Sequence, residues 1–354
     1  PIKDLTIRSA LNFDLNYFKK TAYSYPFLSD TSTFLETGGN QSRTVSTLNV
    51  EKNDFSTLIW DNTATYAKTF DKHKLTLLAG FVAEKFKSNN LKGTALGVPE
   101  NEDQWFLNSG TAGSQTVENT GDLRTRLSYL GRAEYGFDNR YLVTATFRAD
   151  GSSKFGSSQR YGYFPSAAIG WNITEEAFME EQQAFDLLKL RIGYGAKGND
   201  NISSDEFLSV ATQNLPYYFP SGSPTAIQGI TFDKAFDPGL RWEITKEINI
   251  GLDFAILKNR LSGTIDLYDK KTDNALIDIG LSGVVFDADS RYITNATTIS
   301  NKGIELSLNW NEKIGADWTY SLNGNIAYNK NNIEELNGGQ PLLGGTAGNY
   351  QVTR

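Results

Sequence analysis

Between Arg241 and Lys271 the chain obeys a period of two over a length that few folds can use. Trp242, Ile244, Lys246, Ile248, Ile250, Leu252, Phe254 and Ile256 take every second position, and all but one are large and apolar. Arg241, Glu243, Thr245, Glu247, Asn249, Gly251, Asp253 and Ala255 fill the places between them. A break at Leu257-Lys258-Asn259 is followed by a return run with Leu261, Gly263, Ile265 and Leu267 set against Ser262, Thr264, Asp266 and Lys270. Side chains alternate faces along a strand, so this is an antiparallel hairpin with one oily and one wet face. A soluble sandwich gives the same alternation, and length separates the two. Soluble strands usually stop at about 5–6 residues, whereas a tilted strand crossing a bilayer needs about 9–11. The arms here are of the longer kind. They predict a transmembrane β-barrel with Trp242, Ile248 and Leu252 facing lipid and Glu243, Glu247 and Asp253 facing a watery lumen.

The rest of the chain repeats the pattern. Leu5, Ile7, Leu11, Phe13, Leu15 and Tyr17 alternate with Thr6, Arg8, Asn12, Asp14 and Asn16. Runs ending in Trp60 and Tyr66, and in Phe81 and Ala83, flank a turn at Asp71-Lys72-His73. Leu127, Tyr129, Ala133, Tyr135 and Phe137 lie opposite Arg124, Arg126, Ser128, Arg132 and Glu134; Asp138-Asn139 turns the chain into Tyr141, Val143, Ala145 and Phe147. Tyr161 to Ile173, Leu188 to Tyr194, Ile304 to Trp310 and Trp318 to Tyr328 complete the series. The count is roughly eleven strands by this period. A short helix is expected over Glu175–Phe185, with Thr174 as its N-cap and acidic residues in its first turn. Connections alternate between short turns (71–73, 138–139, 257–259, 315–317) and long loops (21–50, 88–120, 198–239, 272–300). Short periplasmic turns and long extracellular loops are the outer-membrane habit. Trp171, Trp242, Trp310 and Trp318 sit near strand ends, as interfacial girdles would.

Composition excludes several function classes. The 354 residues carry a net charge of −7, which argues against nucleic acid as a partner. Cysteine is absent and His73 is the single histidine, so disulfides, zinc thiolates and a cysteine nucleophile are excluded, and imidazole acid–base chemistry has little to work with. No cofactor is implied. No run of about 18 apolar residues exists, which bears on membrane helices and not on barrels. No signal peptide is visible ahead of the first strand. A barrel of the bacterial kind needs an even number of strands. Residues 1–354 are therefore expected to be an internal segment, a partial transmembrane barrel domain completed by strands elsewhere.

Motifs narrow the class further. Arg148-Ala149-Asp150-Gly151-Ser152-Ser153-Lys154-Phe155-Gly156 precedes Arg160-Tyr161-Gly162-Tyr163-Phe164-Pro165-Ser166 and Gly170-Trp171. Leu188-Lys189-Leu190-Arg191, Gly193-Tyr194-Gly195, Gly198-Asn199, Leu240-Arg241-Trp242-Glu243, Asn249-Ile250-Gly251-Leu252-Asp253, Asn259-Arg260-Leu261-Ser262-Gly263 and Asn301-Lys302-Gly303-Ile304-Glu305 follow in order. Spread over about residues 120–330, they resemble the second half of the barrel in SusC/RagA-type TonB-dependent transporters of Bacteroidetes. The resemblance implies a plugged barrel of roughly 22 strands, of which this chain supplies about half. It also implies a SusD-like surface lipoprotein over the extracellular loops, and import of oligosaccharides or peptides powered by TonB with ExbB and ExbD through the plug. No plug, TonB-contact segment or closing strand with a terminal aromatic is present in the sequence.

Candidate functional residues fall in two groups. Arg124, Arg126, Arg132, Arg148 and Arg191, with Glu243, Glu247 and Asp253, form a predicted charged lumen. An ion-pair lattice that fixes strand register outweighs contact with plug or ligand there. The aromatics Trp105, Phe106, Tyr217, Tyr218, Phe219 and Tyr292 lie in predicted loops. Flat rings suit sugar faces and protein surfaces, with loop anchoring and lipoprotein contact favoured over direct ligand contact. The Arg148–Phe155 motif is expected to shape a strand-end turn through Asp150-Gly151. Asn199-Asp200-Asn201 and Phe286-Asp287-Ala288-Asp289 offer hard oxygens without calcium-loop spacing, so solvated carboxylates are favoured over calcium. The leading expectation is a nutrient importer with outer-membrane lipid around it and no bond-making chemistry. A soluble all-β binding or adhesion module is the alternative, and an outer-membrane barrel enzyme is the weaker one.

Overall fold

A computed structural model describes residues 2–27, 43–208, 211–217, 227–232, 235–280, 291–315, 317–336, 343–347 and 350–353. The strands are β1 (Leu5–Ser24), β2 (Thr47–Phe70), β3 (His73–Leu96), β4 (Thr116–Phe137), β5 (Tyr141–Ser152), β6 (Tyr161–Asn172) and β7 (Phe185–Asn199). Then come β8 (Ala211–Tyr217), β9 (Ile227–Phe232), β10 (Glu243–Ile256), β11 (Leu261–Gly280), β12 (Arg291–Ile314), β13 (Trp318–Leu336), β14 (Leu343–Ala347) and β15 (Tyr350–Thr353). Among them, β1–β7 and β10–β13 form one 11-stranded sheet in sequence order, while β8–β9 and β14–β15 are separate two-stranded pairs. No described helix is long and apolar enough to cross a membrane.

Register explains why the alternation matters. Cross-strand partners share a face, and one ladder row runs Tyr135–Val143–Ile169–Ile192–Ile250–Leu267–Ile304–Tyr328 through eight strands. All eight side chains are exposed; Ile250 keeps 44% of its surface and Tyr328 66%. Tyr129 and Leu322 are exposed too. One residue away along each strand the row reads Glu134–Thr144–Ala168–Gly193–Asn249–Tyr268–Gly303–Asn329. An exposed apolar surface of this continuity exceeds the few hundred Å² that a soluble monomer tolerates. Hydrocarbon is the solvent it fits.

The apolar band also drifts across the rows. The next row toward the long loops reads Ala133–Ala145–Ala167–Tyr194–Ile248 and then changes to Asp269–Lys302–Lys330. At the opposite end, Ile256–Leu261–Trp310–Leu322 and Ile314–Trp318 continue the band on the later strands. Rows run perpendicular to strands, so a level band crosses them obliquely only where strands tilt. A tilt of roughly 35–45° is the normal barrel geometry.

Short turns are encoded by residues that tolerate the left-handed region. Asp71 (φ 50°) joins β2 to β3, Asp138 and Asn139 (52° and 56°) join β4 to β5, and Gly315 (63°) follows β12. Leu257, Lys258 and Asn259 stand at φ 58°, 59° and 60° between β10 and β11. That conformation costs Leu and Lys roughly 1–2 kcal/mol each, and Asp186 Oδ2 secures it by accepting the Asn259 amide at 2.7 Å.

Four expectations need correction. Strands run well beyond the apolar stretches, so the loops placed at 21–50, 88–120 and 272–300 are shorter than expected: β3 continues to Leu96 and β11 to Gly280. Polar ladders carry these extensions, with Asn119 Nδ2 donating to Asn89 Oδ1 at 3.0 Å and Thr94 Oγ1 to Asn49 Oδ1 at 2.8 Å. They have no apolar period to read. The helix expected over 175–185 is instead two single 3₁₀ turns, Ile173–Glu175 and Ala177–Met179. Glu176 sits between them in extended conformation because its carboxylate accepts Tyr141 OH at 2.6 Å and Trp171 Nε1 at 3.0 Å. Thr174 donates to Asn172 Oδ1 rather than capping a helix.

Asp150-Gly151 lies inside β5, paired with Ser128 and Leu127, and the chain turns only after Ser152. Trp242, expected in lipid, is 6% exposed and precedes β10. It packs on Phe155 and Phe164 at ring-centroid distances of 5.3 and 5.4 Å and donates Nε1–H to the Arg160 carbonyl at 3.0 Å.

Contacts divide the chain into two compact units: Pro1–Ser9, Asp61–Val82 and Arg126–Arg354 in one, Ala10–Trp60 and Ala83–Thr125 in the other. The first has a core of Phe155, Phe164, Ile202, Leu240 and Trp242. The second is built on Leu48, Ala95 and Val98. The band assignment makes a face-specific prediction. Ile250→Lys should lower unfolding stability in bilayers by about 2–4 kcal/mol, while Asn249→Lys on the other face should cost under about 1 kcal/mol. Urea unfolding followed by heat-modifiable gel mobility reads both.

Candidate functional site: the polar face

The polar face of β4–β7 and β10–β13 is a lattice of charge. Arg191 lies in register between Gly170 and Gly251. Its Nε donates to both Asp253 oxygens at 3.0 and 2.9 Å, and its Nη2 reaches Asp253 Oδ1 at 2.7 Å and Asp266 Oδ1 at 3.2 Å. A side chain at Gly251 would put its Cβ 2.6 Å from Arg191 Nη2 and 2.6 Å from Asp266 Oδ1. The glycine therefore makes the space in which one guanidinium bridges two strands. Planar, bidentate geometry gives such a pair directionality beyond its charge.

The other expected charged residues are distributed along the same chemistry. Arg132 pairs with Glu134, and Arg148 Nη2 meets Asp150 Oδ1 at 2.9 Å. Glu247 lies 3.6 Å from Lys270, and Glu243 accepts from Asn199 Nδ2 at 3.0 Å and from the Leu276 amide at 2.9 Å. In the smaller unit, Arg124 stacks 3.9 Å over the Phe86 ring and lies 4.0 Å from Asp122. Each of these contacts is a structural tie. The Arg132, Arg148 and Arg124 ion pairs lie within single strands, whereas Glu247–Lys270 and the Glu243 contacts cross between strands; half-exposed pairs of this kind contribute about 0–1 kcal/mol apiece.

Arg126 leads to a junction that sequence reading missed. Its Nη2 contacts both Asp200 oxygens at 2.9 Å, Ser152 Oγ donates to Asp200 Oδ2 at 2.9 Å, and Lys154 Nζ donates to the Asp200 carbonyl at 3.0 Å. Burial pushes the Asp200 carboxyl up, but the Arg126 and Ser152 hydrogen bonds and the two nearby cations outweigh it and hold it below the usual carboxylate range. This use of its oxygens removes Asp200 from the calcium candidates. Among the described residues no cluster of three or more metal-ligating side chains occurs.

Part of the junction's surroundings lies in the Arg148–Phe164 motif. Gly162 and Gly198 are spaces for Phe164, whose ring carbon Cζ would lie 2.4 and 2.1 Å from an added Cβ. The β6–β7 ladder ends at Ser166–Gly195, and Phe164 fills the region beyond it. The Arg148–Phe164 motif thus supplies the aromatic core and the Ser152 and Lys154 hydrogen bonds that, with the Arg126 salt bridge, pin the segment after β7.

The candidate aromatics separate. Trp105 stacks on Tyr23 at 4.8 Å with the rings 6° from parallel, and Tyr23 OH donates to the Val98 carbonyl at 2.8 Å. Trp105 is a loop anchor. Phe106 beside it is 65% exposed. Tyr217 closes β8 and Tyr292 lies in β12, with side chains outside the described residues; Tyr218 and Phe219 lie outside them altogether, as does the 286–289 segment. At the short-turn end, His73 Nδ1 shares a 2.6 Å hydrogen bond with Tyr135 OH and stacks on Phe70 at 5.0 Å. The Lys72 hydrogen bond holds the Asp138 carboxyl below its ordinary value. Tyr141 and then Trp171 do the same for Glu176.

A family model described as "TonB dependent receptor-like, beta-barrel" matches residues 3–352. The chain belongs to the TonB-dependent receptor β-barrel family. This receptor barrel is 40% identical over 218 residues to the TonB-dependent receptor SusC of Bacteroides thetaiotaomicron, covering 61% of the chain and 21% of SusC. It is 32% identical over 286 residues to the TonB-dependent receptor P3 of Formosa agariphila, covering 80% of the chain and 28% of that protein. The structure of the RagAB peptide transporter superimposes with a TM-score of 0.82 at 26% identity, over 96% of the chain and 36% of the matched one. The receptor barrel described here spans about a fifth to a third of these relatives.

A carboxyl held below its unfolded value adds stability that is complete above the unfolded carboxylate range and is lost as pH falls through the folded value. Amide protection in residues 199–208 of the intact receptor, taken relative to the intrinsic exchange rate at each pH, should therefore fall on acidification below about pH 4. Asp200→Asn should remove that pH step and destabilise by about 1–3 kcal/mol at neutral pH. An unchanged exchange profile in the variant would contradict the junction.

Proposed function

We propose that this segment is part of a TonB-dependent importer of the bacterial outer membrane. The whole protein takes up oligosaccharides or peptides through a plugged barrel to which these strands contribute one sector. The observation that carries the reading is the exposed apolar row over eight strands, backed one residue away by a polar row. That pairing fits a wall with hydrocarbon on one side and an aqueous passage on the other. The likeness to SusC and to the RagAB peptide transporter supports the choice among barrels.

In this reading the short turns face the periplasm and the long connections the exterior. Phe106, with Tyr217, Tyr218, Phe219 and Tyr292, belongs to the exterior side, where a SusD-like lipoprotein and the incoming ligand arrive. Energy enters from TonB with ExbB and ExbD through a plug carried by the rest of the protein. Arg124, Arg126, Arg132, Arg148, Arg191, Glu243, Glu247 and Asp253 act as wall charges. In this reading no bond is made or broken, and the one histidine shares a hydrogen bond with Tyr135 and stacks on Phe70 at the short-turn end.

Deleting the gene for the intact receptor should abolish growth on a single oligosaccharide or peptide class, and complementation should depend on TonB. Growth unchanged on every glycan and peptide tested, or complementation indifferent to TonB, would contradict the import assignment. Solubility separates the adhesion alternative: the intact receptor should need detergent to stay monodisperse, and a soluble module should not.

A further inference from the structure

The outward face carries a feature that neither the barrel nor the transport reading requires. Immediately beyond the apolar row Ile250–Leu267–Ile304–Tyr328, on the long-loop side, lie two rows with lysines opposite lysines. Lys302 pairs in register with Lys330, and Lys246 with Lys271. All four have the parity of the apolar row and are exposed. Directly opposed like charges on adjacent strands repel at short range and destabilise the pair. A strand ladder that places two such pairs in consecutive rows is arranged for a negative group between them.

Three acidic groups share this patch. Asp269 lies 2.8 Å from Lys302, Asp273 2.8 Å from Lys246, and Glu334 3.3 Å from Lys271. They relieve part of the repulsion without removing it, since four lysines face three carboxylates. Exposed pairs of this kind are weak and exchange readily for a stronger anion. The patch is also confined to one sector. In β5 and β6 the row of Lys302 continues as Ala145 and Ala167, and the next outward pair is Phe147 and Pro165, with no charge. A general solubilising rim would show charge there as well.

We propose that Lys246, Lys271, Lys302 and Lys330 bind the phosphorylated headgroup of an outer-leaflet lipid seated against the wall of β10–β13. The acyl chains would lie along Ile250, Leu267 and Ile304, and the phosphate would meet the lysines at the edge of the hydrocarbon. Continuity between the apolar row and the lysine rows selects a lipid over a soluble anion, because both ends of an amphiphile are accommodated on one face. The inference rests on the outer-membrane reading for its orientation.

The test uses the intact receptor in detergent, with native mass spectrometry reading retention of diphosphorylated lipid A. The dephosphorylated lipid and inorganic phosphate are the comparison probes. Lys302→Gln with Lys330→Gln should weaken lipid A binding about tenfold or more, at about 1 kcal/mol per lysine. Lys302→Arg with Lys330→Arg should retain it, and Lys270→Gln on the opposite face should leave it unchanged.

Equal binding of the dephosphorylated lipid, or undiminished binding by the glutamine pair, would overturn the proposal. So would competition by inorganic phosphate as strong as that by the lipid, which would indicate a free-anion site. Detergent dependence of the same preparation reads the membrane assignment separately. A receptor monodisperse without detergent sinks the barrel reading, whereas a detergent-dependent one with no phosphate preference sinks only the headgroup site.

Discussion

Backbone amides and carbonyls have no water to bond inside hydrocarbon, and each one left unpaired costs several kcal/mol. That constraint sets everything else in this chain. It demands an uninterrupted ladder, which the 11-stranded sheet provides in sequence order. Once the ladder is fixed, the two faces are left to the side chains, and period two sorts them. The outward row from Tyr135 to Tyr328 and the polar row from Glu134 to Asn329 are the same backbone seen from opposite sides.

Different forces hold the two faces. On the apolar face nothing needs to be paired, so alanines, isoleucines and tyrosines substitute for one another along a row. On the polar face, some charges find partners on neighbouring strands, and those pairs convert side-chain chemistry into register. Arg191 is the clearest case, spanning from β7 to Asp253 on β10 and Asp266 on β11 across the gap that Gly251 leaves. Where strands outrun the hydrocarbon, small cores around Trp242 and around Leu48 take over. The molecule thus changes its means of cohesion along the strand axis, from lipid-facing band to polar ladder to loop core.

The parts legible in the sequence were those in which one residue type per face carries the pattern. The hairpin at 241–271 was readable at its start and its turn, though β11 runs on to Gly280, with turns at Asp138-Asn139 and Leu257–Asn259 falling where left-handed residues cluster. Strand ends were not readable. Asn89 and Asn119 pair as strand residues yet look like loop, because a ladder in water needs no apolar alternation. Trp242 was misplaced for a related reason: parity placed it with Ile248, but Phe155 and Phe164 capture it before β10 begins. The helix expected near Glu175 failed because Glu176 is committed to Tyr141 and Trp171 on neighbouring strands, a tertiary demand that local caps cannot reveal. Among the site residues, the arginines alternate with apolar residues in the sequence, whereas the Arg126–Asp200 pairing spans too long a sequence separation for any local signal.

The decisive measurement is a spin-label scan along β10 of the intact receptor in bilayers. The segment contains no cysteine, so each introduced one is unique within it. Collision with lipid-soluble oxygen and with a water-soluble nickel complex should alternate residue by residue from Ile248 to Phe254. Oxygen access should peak at Ile248, Ile250, Leu252 and Phe254, and nickel access at Asn249, Gly251 and Asp253. Labels at Ile250 and Leu252 that meet the nickel complex as freely as Asn249, or that are closed to both probes, would contradict a wall between lipid and water.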